Sequence, residues 1–528
     1  MAGSVGRRLR RPASRHHRLN DRACGGKHGA RLPGNSPAAY DVDVSTVALL
    51  DVIRALAFVG DMAMGQPTDH SPRAAWMAAQ LARACGADAA ACVQATTVAL
   101  LRWSGCTANA PEFAQLFGDD VGGRKALLAM QSSDSGFRAG TGRVGSAFLS
   151  LSRIHCEVAG DVGVQLGLDE ATQYALRHLF ESHDGGGAPD GLRAEQVPLS
   201  VYLAAIAGDL DIFHRLYGPD QALHLVGQRA GLLYPAEIAH LAIAEAARWF
   251  EALDGDPALS GSCALDAAFV GRTTSLEILA QVIDLKLPWM TGYSQRVAQL
   301  ADAAALQLGL DAGRRQRTYR AALVHGMGRA AVPNPIWSTP GKLSESAWER
   351  VRLVPYWTGR AARQIGSLAA EAGLASYVYE RADGSGYHRE AKAGDVSVEG
   401  RILAAASAFA ALCQERPWRD ALSPDAARRL LTAEAQAGRY DADVVRALLA
   451  EASPHAARQP AAPSASLLSE RERDVLRWIS RGASNKVAAQ KLSISPSTVR
   501  THVENVFRKL ECSTRAAATL KATQLGLL

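Results

Sequence analysis

The chain has 528 residues, 48% hydrophobic and 21% charged, a globular balance with length enough for roughly three or four domains. It contains no run of about eighteen consecutive apolar residues, which argues against a membrane span and leads us to expect a soluble, cytoplasmic protein without a membrane partner. Its eight cysteines, at 24, 85, 92, 106, 156, 263, 413 and 512, form no C-x-x-C pair and show no regular spacing, and they read as reduced thiols in a cytosol.

The net charge of +6 is unevenly distributed. Residues 1–40 carry +8 and residues 467–528 carry +6, so the stretch between them is acidic at −8. Basic ends around an acidic middle suit a regulatory body joined to a nucleic-acid reader. Residues 1–43 are rich in Arg, Gly and Pro and have no apolar stretch of a secretory signal; they read as a disordered basic tail.

From Val44 onward the chain contains an internal repeat. Asp69-His70-Ser71-Pro72-Arg73 followed by Leu100-Leu101-Arg102-Trp103 matches Gly292-Tyr293-Ser294-Gln295-Arg296 followed by Leu323-Val324-His325-Gly326, with 32 residues from His70 to Arg102 and from Tyr293 to His325. Glu181 through Gly187 matches Glu380 through Gly386, and 27 residues separate Glu181 from Gly208 and Glu380 from Ser407. The interval between the two landmarks differs, 79 residues in one copy and 55 in the other, as a loop or helical insertion would make it. Apolar residues recur at three and four spacing, as in Val297, Leu300, Ala304 and Leu308, so both copies are expected to be helical: residues 44–253, a connector 254–275, and residues 276–452. A Pro, Ala and Ser stretch over 453–466 reads as a linker.

Several stretches carry a resemblance: Glu380 through Tyr387 (ERADGSGY), Arg416-Pro417-Trp418-Arg419, Asp284-Leu285-Lys286, and in the first copy His183 through Leu192 (HDGGGAPDGL). On these, residues 45–452 resemble the HD-GYP branch of the HD phosphohydrolase family, which implies a helical fold that hydrolyses phosphate esters with a metal cluster. Such chemistry needs several His and Asp ligands. At the family's ligand positions the second copy has Tyr293, His325, Gly326, Val354, Val378, Tyr379 and Ser407. The first keeps His70 but has Arg102-Trp103 in place of the His-Asp pair, with His155, His178, His183 and Asp209 near ligand-like places. The expectation is therefore no enzyme, no catalytic residue, no metal and no cofactor, the helical copies serving as a sensor for a small molecule or nucleotide or as a dimerisation scaffold. Arg102 reads either as a salt-bridged structural residue or as a partner for a phosphate or carboxylate. The alternative is a metal-dependent phosphohydrolase, a cyclic dinucleotide phosphodiesterase, fused to a DNA-binding domain.

The last segment, residues 467–528, reads as four helices. Ser469-Glu470-Arg471-Glu472 is a capping box opening the first, which Gly482 stops. A second spans about Asn485 to Leu492, with a turn at Ser493-Ile494. Ser495 caps a third that begins with Pro496, whose Val499, Val503, Val506 and Leu510 make one buried stripe. Ser513 is expected to cap a fourth carrying Ala516, Ala517, Leu520 and Leu527. The segment resembles the LuxR or GerE type of DNA-binding domain through S-x-R-E, G-x-S-N-K and I-S-x-x-T-V. That resemblance makes Ser495 to Leu510 the recognition helix and puts Lys486, Ser497, Thr498, Arg500, Thr501, Asn505, Arg508 and Lys509 at or near double-stranded DNA. It also implies a homodimer paired through the fourth helix, with RNA polymerase as a further partner. The whole chain is expected to be all-α: two helical HD-like domains followed by a four-helix helix-turn-helix domain.

Overall fold

The computed structural model describes residues 44–130, 142–257, 265–451 and 467–528. The expected tail 1–43 and linker 453–466 lie outside these residues, and the connector is described only in part. The fold is helical, as the apolar spacing indicates. Among the described residues one small sheet occurs, in which Thr46–Ala48 pairs antiparallel with Thr273–Ser275. Strands of three residues are too short to show alternation in a sequence.

In the first copy the helices that matter are α1 (Leu49–Ala63), α2 (His70–Ala84), α3 (Ala89–Leu101), α4 (Asp120–Leu128), α5 (Gly142–Gln165) and α6 (Leu199–Tyr217). In the second they are α7 (Glu277–Asp284), α8 (Tyr293–Gln307), α9 (Ala312–Val324) and α10 (Val398–Leu412). The repeat is written in the hydrogen bonds. Asp88 caps α3 by accepting from Ala91 N–H at 2.8 Å, and Asp311 caps α9 by accepting from Arg314 N–H at 2.9 Å. Ser71 donates its N–H and hydroxyl to the buried Asp61, and Ser294 does the same to the buried Asp284. Glu181 accepts from the backbone N–H groups of Asp190 and Leu192, while Glu380 accepts from those of Arg389 and Ala391. These carboxylates close the Gly-rich loop of each copy, satisfying backbone donors that the loop leaves without a ladder.

A single apolar core runs through both copies, from Leu49 and Phe213 to Leu403 and Leu448. Inside it, the ammonium of Lys286 at the end of α7 meets the carboxylate of Asp120 on α4, which also accepts from Asn334 N–H at 2.6 Å. Both ions are fully buried. Removing one partner strands the other charge in a low-dielectric interior. Lys286→Met is therefore expected to lower unfolding stability by about 3 kcal/mol, toward the low end for buried pairs because Arg124 remains 3.9 Å from Asp120. Urea denaturation checks this, and adding Asp120→Asn is expected to recover part of the loss.

Candidate nucleic-acid interface and helical cavities

The terminal domain contains α11 (Glu470–Ser480), α12 (Asn485–Leu492), α13 (Pro496–Leu510) and α14 (Arg515–Gln524). The capping box forms as read: Ser469 accepts from Glu472 N–H at 3.3 Å and Glu472 accepts from Ser469 N–H at 2.8 Å. Gly482 lies at φ 84°, where a Cβ would be strained, so it ends α11. Ser495 caps α13, and Val499, Val503, Val506 and Leu510 pack with Val475, Leu476 and Ile479 into the domain's own core.

That packing turns the other face of α13 outward. Ser497, Thr498, Arg500, Thr501 and Arg508 are exposed, as is Lys486 on α12, while Asn505 and Lys509 are half-buried. Arg500 pairs with Glu504 at 2.9 Å, an exposed contact of small energetic value that a phosphate or base edge could displace. Ser495 Oγ lies 2.6 Å from Ser497 Oγ and 2.8 Å from Thr498 Oγ1, so these hydroxyls are oriented by the cap. Arg508 donates to Asn505 Oδ1 at 3.4 Å, and Thr501 to Ser497 O at 3.3 Å. Lys509 sits differently from the rest of this group. Its ammonium is held 2.7 Å from Glu472 Oε2, so it fastens α13 to the capping box.

The fourth helix departs from the sequence expectation in its cap. Thr514, not Ser513, accepts from Ala517 N–H at 3.2 Å. Ser513 is taken up elsewhere: its N–H and hydroxyl donate to Glu157 on α5 at 2.5 and 3.0 Å. Lys521 Nζ lies 3.7 Å from Asp161 on the same helix, and Thr291 donates to Ser480 O at 2.8 Å. Ala517 and Leu520 are buried in the core of the helical body.

Among the described residues each copy encloses a sizeable cavity. The second-copy cavity, about 420 Å³, is bordered by Trp289, Tyr293, Arg329, Tyr379 and Arg416. Arg329, on the turn after α9, is fully buried; it donates to His325 Nε2 at 2.8 Å and Tyr379 OH at 3.1 Å and lies 3.7 Å from Asp284. His325 Nδ1 faces Ala322 O at 2.5 Å, and burial together with Arg329 pushes its imidazole down to about 3. Its Nε2 lone pair is thus taken by a guanidinium. Arg416 stacks over Trp289 at 4.6 Å and Tyr293 at 5.1 Å. Neither arginine was among the residues singled out as a site, although Arg329 lies one helical turn after His325 and Arg416 opens the quoted Arg-Pro-Trp-Arg run.

The first-copy cavity, about 270 Å³, has Arg102, Trp103 and Phe180 in its wall. Among the described residues Arg102 makes no salt bridge; it donates to Ala204 O at 2.8 Å. His155 has both ring nitrogens engaged, by Arg102 O at 2.8 Å and Cys106 Sγ at 3.6 Å. His70 faces Asp211 at 2.8 Å. His178 contacts Tyr174 O and Asp190, and Asp209 pairs with Arg229 at 2.6 Å. Among the described residues no group of three or more His, Cys, Asp or Glu side chains comes together to hold a metal ion. Guanidinium groups border both cavities, those of Arg102, Arg124 and Arg229 the first and those of Arg329 and Arg416 the second.

Residues 466–522 match the family of bacterial regulatory proteins of the luxR type, and residues 277–444 match the HD domain family. The chain therefore carries a LuxR-type helix-turn-helix domain behind an HD domain. Among known proteins, a 3'3'-cGAMP-specific phosphodiesterase of Vibrio cholerae is 26% identical over 420 residues, 73% of this chain and 91% of its own length. A cyclic di-GMP phosphodiesterase response regulator of Xanthomonas campestris is 33% identical over 183 residues, 33% of this chain and 47% of its own. A probable transcriptional regulatory protein of Mycobacterium tuberculosis is 49% identical over 71 residues, 13% of this chain and 33% of its own. The crystal structure of a cyclic GMP-AMP-specific phosphodiesterase of Vibrio cholerae shares the fold, with a TM-score of 0.56 at 23% identity over 77% of this chain and 97% of that one. No helix among the described residues is long and apolar enough to cross a membrane.

The two phosphodiesterases among the sequence relatives correct the expectation that the chain is not an enzyme, because they point to an enzyme. That expectation counted side chains at matched positions only. The match to the cGAMP-specific phosphodiesterase, by contrast, runs over 420 residues.

Two buried carboxyls give the body a pH signature. Burial, only partly offset by His70 and Ser71, raises Asp61 from 3.8 to about 7; burial, partly offset by Arg329 and Ser294, raises Asp284 to about 6. A folded-state value above the unfolded one means the native state binds the proton more tightly. The associated stability is complete below pH 3.8 and is lost as pH rises through about 6 to 7. Asp61→Asn is expected to flatten the fall in stability over this window, as measured by urea titrations at stepped pH.

Proposed function

We propose that this chain is a cytoplasmic, DNA-binding transcription regulator whose helical HD region holds a cyclic dinucleotide. The observation that carries the first half is the outward face of α13, where Arg500, Thr501, Ser497 and Arg508 are exposed on a helix rigidly seated by its apolar stripe. In this reading Lys486, Ser497, Thr498, Arg500, Thr501, Asn505 and Arg508 lie at DNA, with Lys509 reaching it only by leaving Glu472. The regulator binds as a homodimer to half-sites about one helical turn apart. The domains are residues 44–253 and 276–452 for the two helical copies and 467–528 for the reader.

The ligand reading rests on the second-copy cavity. Arg329 and Arg416 supply cations, while Trp289, Tyr293 and Tyr379 supply flat faces, a combination suited to phosphates joined to purine rings. The named substrates of the relatives make 3'3'-cGAMP and cyclic di-GMP the ligands to try. A second reading, that the HD region also hydrolyses this ligand, is favoured by the match across 91% of the cGAMP phosphodiesterase.

Arg500→Ala is expected to weaken binding to a selected DNA site by about 1 to 3 kcal/mol and relax its sequence preference, whereas Lys486→Ala is expected to weaken binding to all sequences alike. Gel-shift titrations against specific and scrambled duplexes read the difference; unchanged site preference in Arg500→Ala would remove its base-reading role. For the cavity, Arg416→Ala is expected to weaken 3'3'-cGAMP binding at least tenfold in calorimetry. Chromatography of the same mixtures with added Mn²⁺ reports linear product in the second reading only.

A further inference from the structure

The first-copy cavity differs in chemistry from the second. Phe113, Phe148, Leu151, Trp103 and Phe180 give it mainly apolar walls. Three arginines border it, but two are already saturated. Arg124 donates to Ala63 O, Cys106 O and Asn109 Oδ1 at 3.2, 2.9 and 2.5 Å, and Arg229 is paired with Asp209 and also donates to Met130 O. Arg102 is the exception. Only its Nη1 is engaged, on Ala204 O, and its Nε–H is shielded from solvent and meets no acceptor. No carboxylate lies within ion-pair distance of it among the described residues. The two acids at the cavity are occupied: Asp209 by Arg229, and Glu181 by three backbone N–H groups. Burial keeps the His155 imidazole neutral, pushed down to about 3, so it adds no second cation.

A shielded guanidinium donor without an acceptor is a standing cost that a ligand oxygen would relieve. One open cation suits a monoanion, whereas a phosphate dianion needs several open donors. The walls then ask for an apolar body, and a volume of about 270 Å³ sets a compact one. We propose that the first-copy cavity binds a hydrophobic monocarboxylate, an aryl or medium-chain acyl acid, with its carboxylate on the Nε–H of Arg102 and its tail among Phe113, Phe148 and Phe180. Trp103, over which Arg102 stacks at 4.9 Å, holds the guanidinium in place for it.

The test is calorimetry of the full chain with octanoate, 1-octanol and octyl phosphate, which share a tail and differ in the head group. Octanoate is expected to bind saturably and at least tenfold more tightly than 1-octanol, with octyl phosphate no tighter than octanoate. Arg102→Gln is expected to bring octanoate down to the level of 1-octanol. Leu128→Trp, which fills the cavity from its half-buried edge and leaves Arg102 in place, is expected to abolish both. The proposal is overturned by the absence of saturable octanoate binding, by equal affinity for acid and alcohol, by octyl phosphate binding more tightly, or by a preference that survives Arg102→Gln. Should Arg102→Gln fail to fold, retained octanoate binding in Leu128→Trp overturns it by itself.

Discussion

An ammonium group withdrawn from water inside a helical body needs a carboxylate beside it, and Lys286 finds its carboxylate in the other copy of the repeat. The pair makes the two halves interdependent. Asp120 sits on α4, in the interval between the two landmarks of the first copy, so a residue from that interval reaches the second copy. Asn334 closes the arrangement, donating its N–H to Asp120 and its side-chain amide to Lys286 O. The apolar core that joins α1 and α6 to α8 and α10 is continuous around this ion pair. Arg124 and Leu128 on the helix of Asp120 wall the first cavity, and Trp289 and Met290, just beyond Lys286, wall the second.

The cavities show how one scaffold can be given two chemistries. In each, a guanidinium brings fixed positive charge close to where the repeat lays its second landmark, Arg102 in one copy and Arg329 in the other. In the second copy a further arginine and several flat rings surround it, so the space favours planar, charged matter. In the first, the companion arginines are bound up with backbone oxygens and Asp209, leaving a largely apolar space. How far each arginine is already hydrogen-bonded, more than the number of arginines, sets this difference.

Much of the architecture was legible in the sequence because it is carried by local signals. The capping box of Ser469 and Glu472 acts within one helical turn, and the stripe of Val499, Val503, Val506 and Leu510 recurs once per turn. The equal spacings from His70 to Arg102 and from Tyr293 to His325 exposed the repeat for the same reason. Long-range partners were not legible. Nothing near Lys509 announces Glu472, 37 residues away, and nothing near Ser513 announces Glu157, 356 residues away. The cap of α14 was misplaced by one residue because Ser513 and Thr514 are equally able caps locally, and the tertiary contact of Ser513 decided between them. The same limit applied to activity: reading side chains at matched positions led away from the enzyme that the relatives indicate.

The seating of α14 has a further result. Its Ala518 and Ala522 face the core of its own domain, while Ala517 and Leu520 face the helical body, with Ser513 and Lys521 anchored on α5. A helix side accommodates one neighbour at a time. If two reader domains join through that side on DNA, they must first vacate α5, so association and release draw on one equilibrium and compete by mass action. Anything that alters the pitch or position of α5, which also walls the first cavity through Leu151 and His155, shifts that competition. The amount of protein in the cell then enters the balance as directly as any effector does.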